Sequence, residues 1–386
     1  TPPEVGALIT YGTITNNGTI EIGFNTPQED CHLISSPVTS ITAEVFEGDY
    51  LQSWDEPTEE WVEIIDETTP LTPAKGYSLW PTFRNSTQYT FTGTPNTGDQ
   101  SITITYNNNS SEQDGFNLVG NPYPSPINWD LLQPTYGAAY IWVPANGDYT
   151  EWNESSGGEQ NIATLQSFFV YTDGSNTSLD LKNKHRTFGN TTHYRSASTL
   201  NKTKNRLLLE ASNGSYADQF TLRFDEHAAP GFELTNDAWK LLSDNCNVCQ
   251  IWSQSPDGKL AVDVRPYESF IQLGFQNNQP GVYSIGIKEI ADIPEVYLED
   301  TKTGTFHDLT QSAYEFAWKI TDSESRFNLC LRFEENINDE ISDNITYLNV
   351  KDQPDEIDIT TMVITGRAML QKPNSVLGII QSQKGE

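Results

Sequence analysis

Short runs in which apolar and polar residues alternate make up most of the chain. Phe220, Leu222 and Phe224 would share one face of a strand, and residues 327–333 alternate in the same way. Glycine, asparagine, aspartate and proline separate these runs at close intervals. Because successive side chains of a strand point to opposite faces, the pattern predicts antiparallel sheets with one buried face each. We therefore predict an all-β fold of tandem antiparallel β-sandwich modules.

Helical patterns are few and short. Asn236–Ser243 and Asp130–Gln133 are the two segments that we expect to form a single turn of helix. Neither is long enough to change the predicted fold class.

The first part of the chain contains an internal repeat. The segment HLISSPV at residues 32–38 resembles NLVGNPY at residues 117–123. In this alignment Leu33 matches Leu118, and Pro37 matches Pro122. Matching segments that recur in the same order predict copies of one structural unit.

Two further matches follow in the same order. Trp54 and Trp61 fall where Trp142 and Trp152 recur, and each pair brackets an acidic turn. The segment LTPAKGYSLW at residues 71–80 then resembles IATLQSFFVY at residues 162–171. Within residues 1–182 we therefore predict two β-units, at about 25–110 and 113–182, and it stays open whether their sheets form one composite sandwich.

Composition divides the rest of the chain into four parts. We predict a linker rich in Lys, Arg, His, Thr and Asn at residues 183–204, a jelly-roll-like β-sandwich at 205–333, a short acidic hinge at 334–342 and a tail of further strands at 343–386.

The charge balance excludes several kinds of partner. The chain has 22 basic and 53 acidic residues, a formal net charge of −31 and a pI of about 4.3. Such a surface repels phosphate backbones and anionic lipid, so we expect no nucleic-acid partner. No apolar run reaches the ~18 residues needed to cross a bilayer, so we expect no direct membrane insertion.

We find no motif that predicts an enzyme. The five histidines are scattered, and the sequence contains no HExxH, GxSxG or P-loop motif. Carboxylate pairs such as Asp218 with Asp225 could be imagined as a glycosidase acid and base. With 53 acidic residues some pair always looks suitable, so we predict no catalytic residues.

The spacing Cys246-x-x-Cys249 is the one motif with metal or redox potential. Zinc would need a second such pair, and Cys31 and Cys330 are distant in sequence. A thioredoxin-like role would need a helix start, whereas this segment is a polar loop. In an oxidising setting we therefore predict a local Cys246–Cys249 disulfide.

Two kinds of ligand have to be weighed against a structural explanation. Three segments are rich in oxygen ligands: residues 107–114, 148–153 and 322–324. None has EF-hand spacing, so we predict solvated loops without metal ligands. We predict no cofactor, and calcium stays an open possibility. Trp54, Trp61, Trp142 and Trp152 could stack on sugar rings, or they could hold the repeated units together.

Several segments resemble a known class of protein. The segment GFNLVGNPYPSPINWD at residues 115–130 and the segment VYLEDTKTGTFHDL at 296–309 are the most specific. They resemble the modular cell-surface proteins that Bacteroidetes export through the type IX secretion system, including gliding-motility and adhesin-like proteins. The resemblance covers most of residues 30–370.

The tail resembles the start of the C-terminal sorting domain of that system, a small immunoglobulin-like sandwich. The segment TMVITGRAM at residues 361–369 matches its central signature, so the resemblance implies a sorting signal at Met362, Ile364, Gly366 and Arg367. The family continues beyond a pair such as Gly385-Glu386, so we expect this sorting domain to be incomplete.

The resemblance implies an extracellular protein at the outer-membrane surface. We expect a non-catalytic stalk or adhesion region, exported and attached through its sorting domain. Its partners would be the type IX translocon and an outer-membrane shuttle protein, which would bind the C-terminal tail. Two alternatives remain: a module that binds surface polysaccharide through aromatic side chains, and an accessory region of a secreted hydrolase.

Overall fold

The protein is almost entirely β-structure. The computed structural model describes residues 8–9, 20–26, 30–82, 88–153, 160–188 and 204–332, and the strands at 368–371 and 377–380. One α-helix, α1 (Gln133–Tyr136), and 3₁₀ turns at Ala43–Phe46, Trp129–Leu131 and Asn183–His185 are the helical elements of these ranges. The predicted all-β class is confirmed. No helix in the described ranges is both long and apolar enough to cross a membrane.

The first structural unit, which we call repeat one, spans residues 20–95. Its strands are β1 (Ile20–Asn25), β2 (His32–Ile34), β3 (Val38–Thr39), β4 (Tyr50–Asp55), β5 (Glu60–Glu63), β6 (Tyr77–Trp80) and β7 (Gln88–Pro95). Four of them form an antiparallel sheet in the order β2-β6-β4-β5. Strand β7 pairs with β1 and β3 in a second sheet, and a core that includes Phe46, Tyr77 and Phe91 fills the space between.

The second unit, repeat two, spans residues 100–181. Its strands are β8 (Gln100–Thr103), β9 (Phe116–Gly120), β10 (Ile127–Asn128), β11 (Ala139–Val143), β12 (Asp148–Trp152), β13 (Asn161–Ile162), β14 (Ser167–Tyr171) and β15 (Ser178–Leu181). Its main sheet has the order β9-β14-β11-β12. This is the order of repeat one, strand for strand.

The pairing register agrees as well. Leu33 lies opposite Ser78 in repeat one, and Leu118 lies opposite Phe169 in repeat two. The outer strands also correspond, because β1 pairs with β7 as β8 pairs with β15. Strand β8 therefore belongs to repeat two, and the boundary falls between β7 and β8 instead of the predicted 110–113.

The third unit spans residues 206–332 and forms one large sheet. Its strands are β16 (Arg206–Ser212), β17 (Ala217–Phe224), β18 (Ala238–Trp239), β19 (Gln250–Gln254), β20 (Lys259–Arg265), β21 (Phe270–Gln276), β22 (Gly281–Ala291), β23 (Glu295–Asp300), β24 (Thr305–Asp308), β25 (Tyr314–Trp318) and β26 (Phe327–Arg332). The hydrogen-bonded order is β24-β23-β26-β21-β19-β20-β17-β16-β22-β25, with β18 beside β20.

The third unit is thus a single curled sheet and not two separate ones. Strands β17 and β20 pair in parallel, while its other pairs are antiparallel. The sheet encloses one core, whose large side chains include Phe220, Phe275 and Phe327. One predicted helical turn is wrong here: within Asn236–Ser243, Ala238 and Trp239 form strand β18, because Asp237 accepts the Val264 N–H at 2.7 Å and draws the segment against β20.

The last described elements are strands β27 (Ala368–Gln371) and β28 (Leu377–Ile380), which pair as an antiparallel hairpin. The predicted sorting-signal residues Met362, Ile364, Gly366 and Arg367 lie outside the described residues, as do the predicted hinge and most of the predicted linker.

Candidate functional site

The two repeats interlock around an approximate twofold axis. Ser35 N–H donates to Leu165 O at 2.9 Å, and the equivalent Gly120 N–H donates to Ala74 O at 2.8 Å. Ala74 and Leu165 both adopt a positive φ, of 63° and 66°. A left-handed conformation is costly for residues with a side chain, and here the same cost occurs at the same place in both repeats.

Two of the predicted sugar-stacking tryptophans belong to this interlock. The indole N–H of Trp54 donates to Phe116 O of repeat two at 2.8 Å. The indole N–H of Trp142 donates to Cys31 O of repeat one at 2.9 Å. Each tryptophan therefore binds the backbone at the start of the other repeat's main sheet, and the half-buried rings pack between the repeats.

The other two predicted tryptophans are not equivalent to each other. Trp61 lies opposite Trp54, whereas the residue opposite Trp142 is Tyr149. Trp152 is buried in the core of repeat two, and its indole N–H donates to Asp130 Oδ1 at 2.7 Å. The structure thus brings Trp54, Trp61 and Trp142 together in one cluster and leaves Trp152 outside it.

The third unit covers one face of the repeat-two sheet. This covered face consists of Ala138, Tyr140, Glu151 and Tyr171. The Tyr171 ring contacts Phe232 and Trp239 of the third unit, with ring centroids 5.7 and 6.0 Å apart. Apolar side chains of both units complete the contact: Phe116, Leu118, Phe169, Ala238, Leu241, Val262 and Val264.

No part of the chain that the structure describes covers the equivalent face of repeat one. From the pairing register, Tyr50, Gln52, Glu63 and Trp80 occupy the positions of the covered face, and we call them the open face. Tyr50 is 58% exposed and Trp80 is 44% exposed. The sequence comparison aligned Trp80 with Tyr171, but it gave no sign that one ring would be buried and the other open.

A cleft of about 330 Å³ lies between repeat two and the third unit. Asp148 and Glu151 line it from β12, and Asp218 lines it from β17. The Lys240 ammonium, which is fully buried, contacts Asp218 Oδ1 at 2.7 Å. Asp218 Oδ2 also accepts the Ile251 N–H at 2.6 Å, so this carboxylate is well compensated.

The other two carboxyl groups of the cleft have raised pKa values. Burial raises the pKa of Asp148 well above its usual range, against the opposing charge of Lys240. Burial likewise raises the pKa of Glu151 to about 7. Burial alone would lower the pKa of Lys240, but Asp218, Asp148 and Glu151 together raise it. One lysine cannot neutralise three buried carboxylates. The cluster of Lys240 with Asp148, Glu151 and Asp218 therefore holds protons near neutral pH.

Sequence reasoning missed this cluster. Its members come from β12, β17 and the segment after β18, which only the packing of repeat two on the third unit brings together. The one available signal was Lys240 itself, a lysine inside the otherwise apolar segment AWKLL. Buried lysines usually need an acidic partner, but the sequence does not say which.

The predicted Cys246–Cys249 disulfide is absent from the structure, where both residues are thiols. Cys249 is buried in the core of the third unit, while Cys246 is exposed beside Gln279. The two side chains thus lie in different environments despite their spacing. Burial raises the pKa of the Cys249 thiol, and it also raises that of the half-buried Cys31 thiol to about 11.

Two of the three oxygen-rich loops, residues 107–114 and 322–324, are held by protein donors. Asp114 accepts N–H groups of Asn108 and Asn109, both at 2.9 Å. Asp322 accepts from Lys302 and Arg326 at 2.7 and 3.1 Å. Among the residues that the structure describes, no group of three or more His, Cys, Asp or Glu side chains is arranged to hold a metal ion.

One comparison with known proteins gives a match. The family model described as "Domain of unknown function (DUF8693)" matches residues 4–133 and 131–331, which is most of the chain. No curated protein and no solved structure matches the chain.

Proposed function

We propose a function for this chain, which belongs to the family described as a domain of unknown function (DUF8693): it is a rigid, non-catalytic stalk and adhesion region of an exported cell-surface protein. The observation that carries the proposal is the aromatic cluster shared by all three units. It joins Trp54 and Trp61 of repeat one, Phe169 of repeat two and Trp239 of the third unit.

A shared core limits the motion of one unit against another. Domains that touch through small polar interfaces move relative to each other by default, whereas a large apolar interface fixes them. Here the repeats also exchange backbone hydrogen bonds and two indole hydrogen bonds. Such a region would keep whatever it carries at a fixed distance and orientation from its anchor, which is what a stalk does.

The location at the cell surface is proposed from the sequence resemblance. The acidic surface, with a net charge of −31, agrees with a protein that avoids nucleic acid and anionic membrane. In this proposal residues 343–386 are bound by the type IX translocon and an outer-membrane shuttle protein, which attach the region outside the cell.

The test is surface display in a bacterium that has a type IX secretion system. A fluorescent protein is fused in front of the full chain, behind a periplasmic export signal. The closing strands of an established type IX sorting domain are fused after Glu386, because the sorting domain of this chain is expected to be incomplete. We expect added protease to remove the fluorescent protein from intact cells of this host, and to spare it in a strain that lacks the translocon.

A matched variant without residues 343–386 separates the tail from the rest of the chain. We expect this variant to stay inside the cells of both strains. Display that is independent of the translocon, or display without these residues, would contradict the proposed export route.

A further inference from the structure

We propose that the open face of repeat one binds a neutral polysaccharide. The inference rests on the proposed function, because it names the ligand class through which an adhesion region would attach. It places the sugar-binding surface at Tyr50 and Trp80, with Gln52 and Glu63 beside them, and not at the four tryptophans that the sequence offered as candidates for sugar stacking.

The two equivalent faces differ in their side chains. Where the covered face has Ala138 and Tyr140, the open face has Tyr50 and Gln52. The small Ala138 lets the third unit approach the repeat-two sheet closely. Repeat one has the much larger Tyr50 at the same position, and its ring is exposed. The open face is therefore built differently from the face that binds a protein unit.

The side chains of the open face are arranged in two rows. Tyr50 and Trp80 lie directly opposite each other on β4 and β6. Gln52 and Glu63 lie opposite each other on β4 and β5, one row further along the same face. Rows on one face of a sheet are about 7 Å apart. Two exposed rings next to an amide and a carboxylate can accept the C–H face of a sugar ring and bind its hydroxyl groups.

The polar side chains of the open face are available to a ligand. Gln52 and Glu63 make no side-chain hydrogen bond within the part of the chain that the structure describes, while their equivalents Tyr140 and Glu151 are buried under the third unit. Exposed rings beside hydrogen-bonding groups that no described residue binds are the usual composition of a site for a polar ligand with apolar faces.

The part of repeat one that carries the open face is strongly acidic. Residues 30–82 contain eleven acidic residues and one lysine, Lys75. This local excess repels acidic polysaccharides, phosphorylated glycans and anionic lipid surfaces. A neutral polysaccharide is not repelled in this way, so it is the glycan class that fits this face.

The test is affinity electrophoresis of the full chain through gels that contain one soluble polysaccharide each. The neutral probes are hydroxyethylcellulose, mixed-linkage β-glucan, galactomannan and arabinoxylan, and polygalacturonate is the acidic probe. We expect at least one neutral probe to retard the protein, and polygalacturonate not to. Trp80→Ala and Tyr50→Ala should each weaken the retarding interaction by about tenfold.

Ile65→Ala is the matched control, because Ile65 is a more exposed apolar residue of the same repeat and lies outside the open face. It should leave retardation unchanged. Absence of retardation by every neutral probe would overturn the inference, and so would equal losses in the Ile65 and Trp80 variants. If Trp80→Ala instead dissolved a dimer seen in sedimentation, the open face would be a protein contact and the inference would be wrong.

The outcome is separable from that of the proposed function. Release of reducing ends from a retarding polysaccharide would contradict the non-catalytic role while leaving binding at the open face intact. Surface display of a chain that no polysaccharide retards would support the proposed function and contradict binding at the open face.

Discussion

Repeat one and repeat two have the same strand order and register, yet one of their two equivalent faces is buried and the other is exposed. In repeat two, Tyr140 and Glu151 are buried against the third unit, whereas in repeat one Glu63 is exposed and Gln52 is half-buried. The contacts between the repeats are reciprocal. The difference therefore lies in a few side chains on one sheet face. A duplicated unit can thus keep its own core and use one copy for assembly and the other for contact with a ligand.

The largest effect on stability is expected when the buried Lys240 beside the covered face is replaced. Lys240→Met leaves Asp218 buried without its partner, which should destabilise the chain by about 3–5 kcal/mol. Urea unfolding at pH 7 measures the change. Lys288→Met is the matched control, because Lys288 is a half-exposed lysine at the rim of the same cleft, paired with Glu210. We expect less than about 1 kcal/mol there, and equal losses would contradict the role given to Lys240.

A second variant breaks the interlock that both repeats share. A Cβ atom on Gly120 would lie 2.3 Å from Ser35 Cβ and 2.9 Å from Lys75 O of the other repeat. Gly120→Ala should therefore cost about 1–3 kcal/mol of unfolding free energy. Gly23→Ala, where the nearest atom is a flexible Gln88 nitrogen at 3.7 Å, should change stability little. A harmless Gly120→Ala would show that the repeats are packed less closely.

The third prediction compares the two equivalent glutamates by pH. The folded pKa of Glu151 is raised to about 7, so its contribution to stability is complete below its ordinary pKa and is lost as the pH rises through 7. Glu151→Gln should therefore gain about 1–3 kcal/mol relative to the parent chain at pH 8, and nothing at pH 4.

Glu63→Gln is its control on the open face. A solvated carboxylate contributes little to stability, so this variant should follow the parent chain at both pH values. Thermal unfolding at pH 4 and pH 8 gives both comparisons. A pH-independent effect of Glu151→Gln would contradict a proton held in the cleft.

The smallest effect on stability is expected for the two tryptophans that donate a hydrogen bond to the other repeat. Trp54→Phe and Trp142→Phe each remove one indole hydrogen bond to the other repeat, so each should cost about 1 kcal/mol. Denaturant unfolding should give nearly equal values for the two variants. A loss confined to one of them would mean that the interlock is not symmetric in energy.

Local patterns were enough to predict the strands and the repeated segments. The alternation around Phe220, Leu222 and Phe224 corresponds to β17, and the alignment of Leu33 with Leu118 corresponds to β2 and β9. The alignment of Trp61 with Trp152 failed because it followed residue identity and not hairpin length. Trp54 to Trp61 and Trp142 to Tyr149 have the same spacing, which fixes the register of the two hairpins.

Features that depend on contacts between units were not predictable. Nothing local connects Asp148 with Asp218 and Lys240, because only the docking of repeat two on the third unit joins them. The spacing of Cys246 and Cys249 does not reveal that one side chain enters the core and the other faces solvent. The exposure of Trp80 likewise depends on where the third unit docks, which no pattern in repeat one records.

The central claim is that equivalent faces of the two repeats differ in access to solvent and ligand. Hydroxyl-radical footprinting with mass spectrometry tests it on tyrosines, which share one intrinsic reactivity. Tyr50 is 58% exposed and Tyr140 is 1% exposed. We predict rapid oxidation of Tyr50 in the native chain, protection of Tyr140 until unfolding, and slowing of Tyr50 alone by a retarding polysaccharide. Similar oxidation rates for Tyr50 and Tyr140 in the native chain would contradict the account.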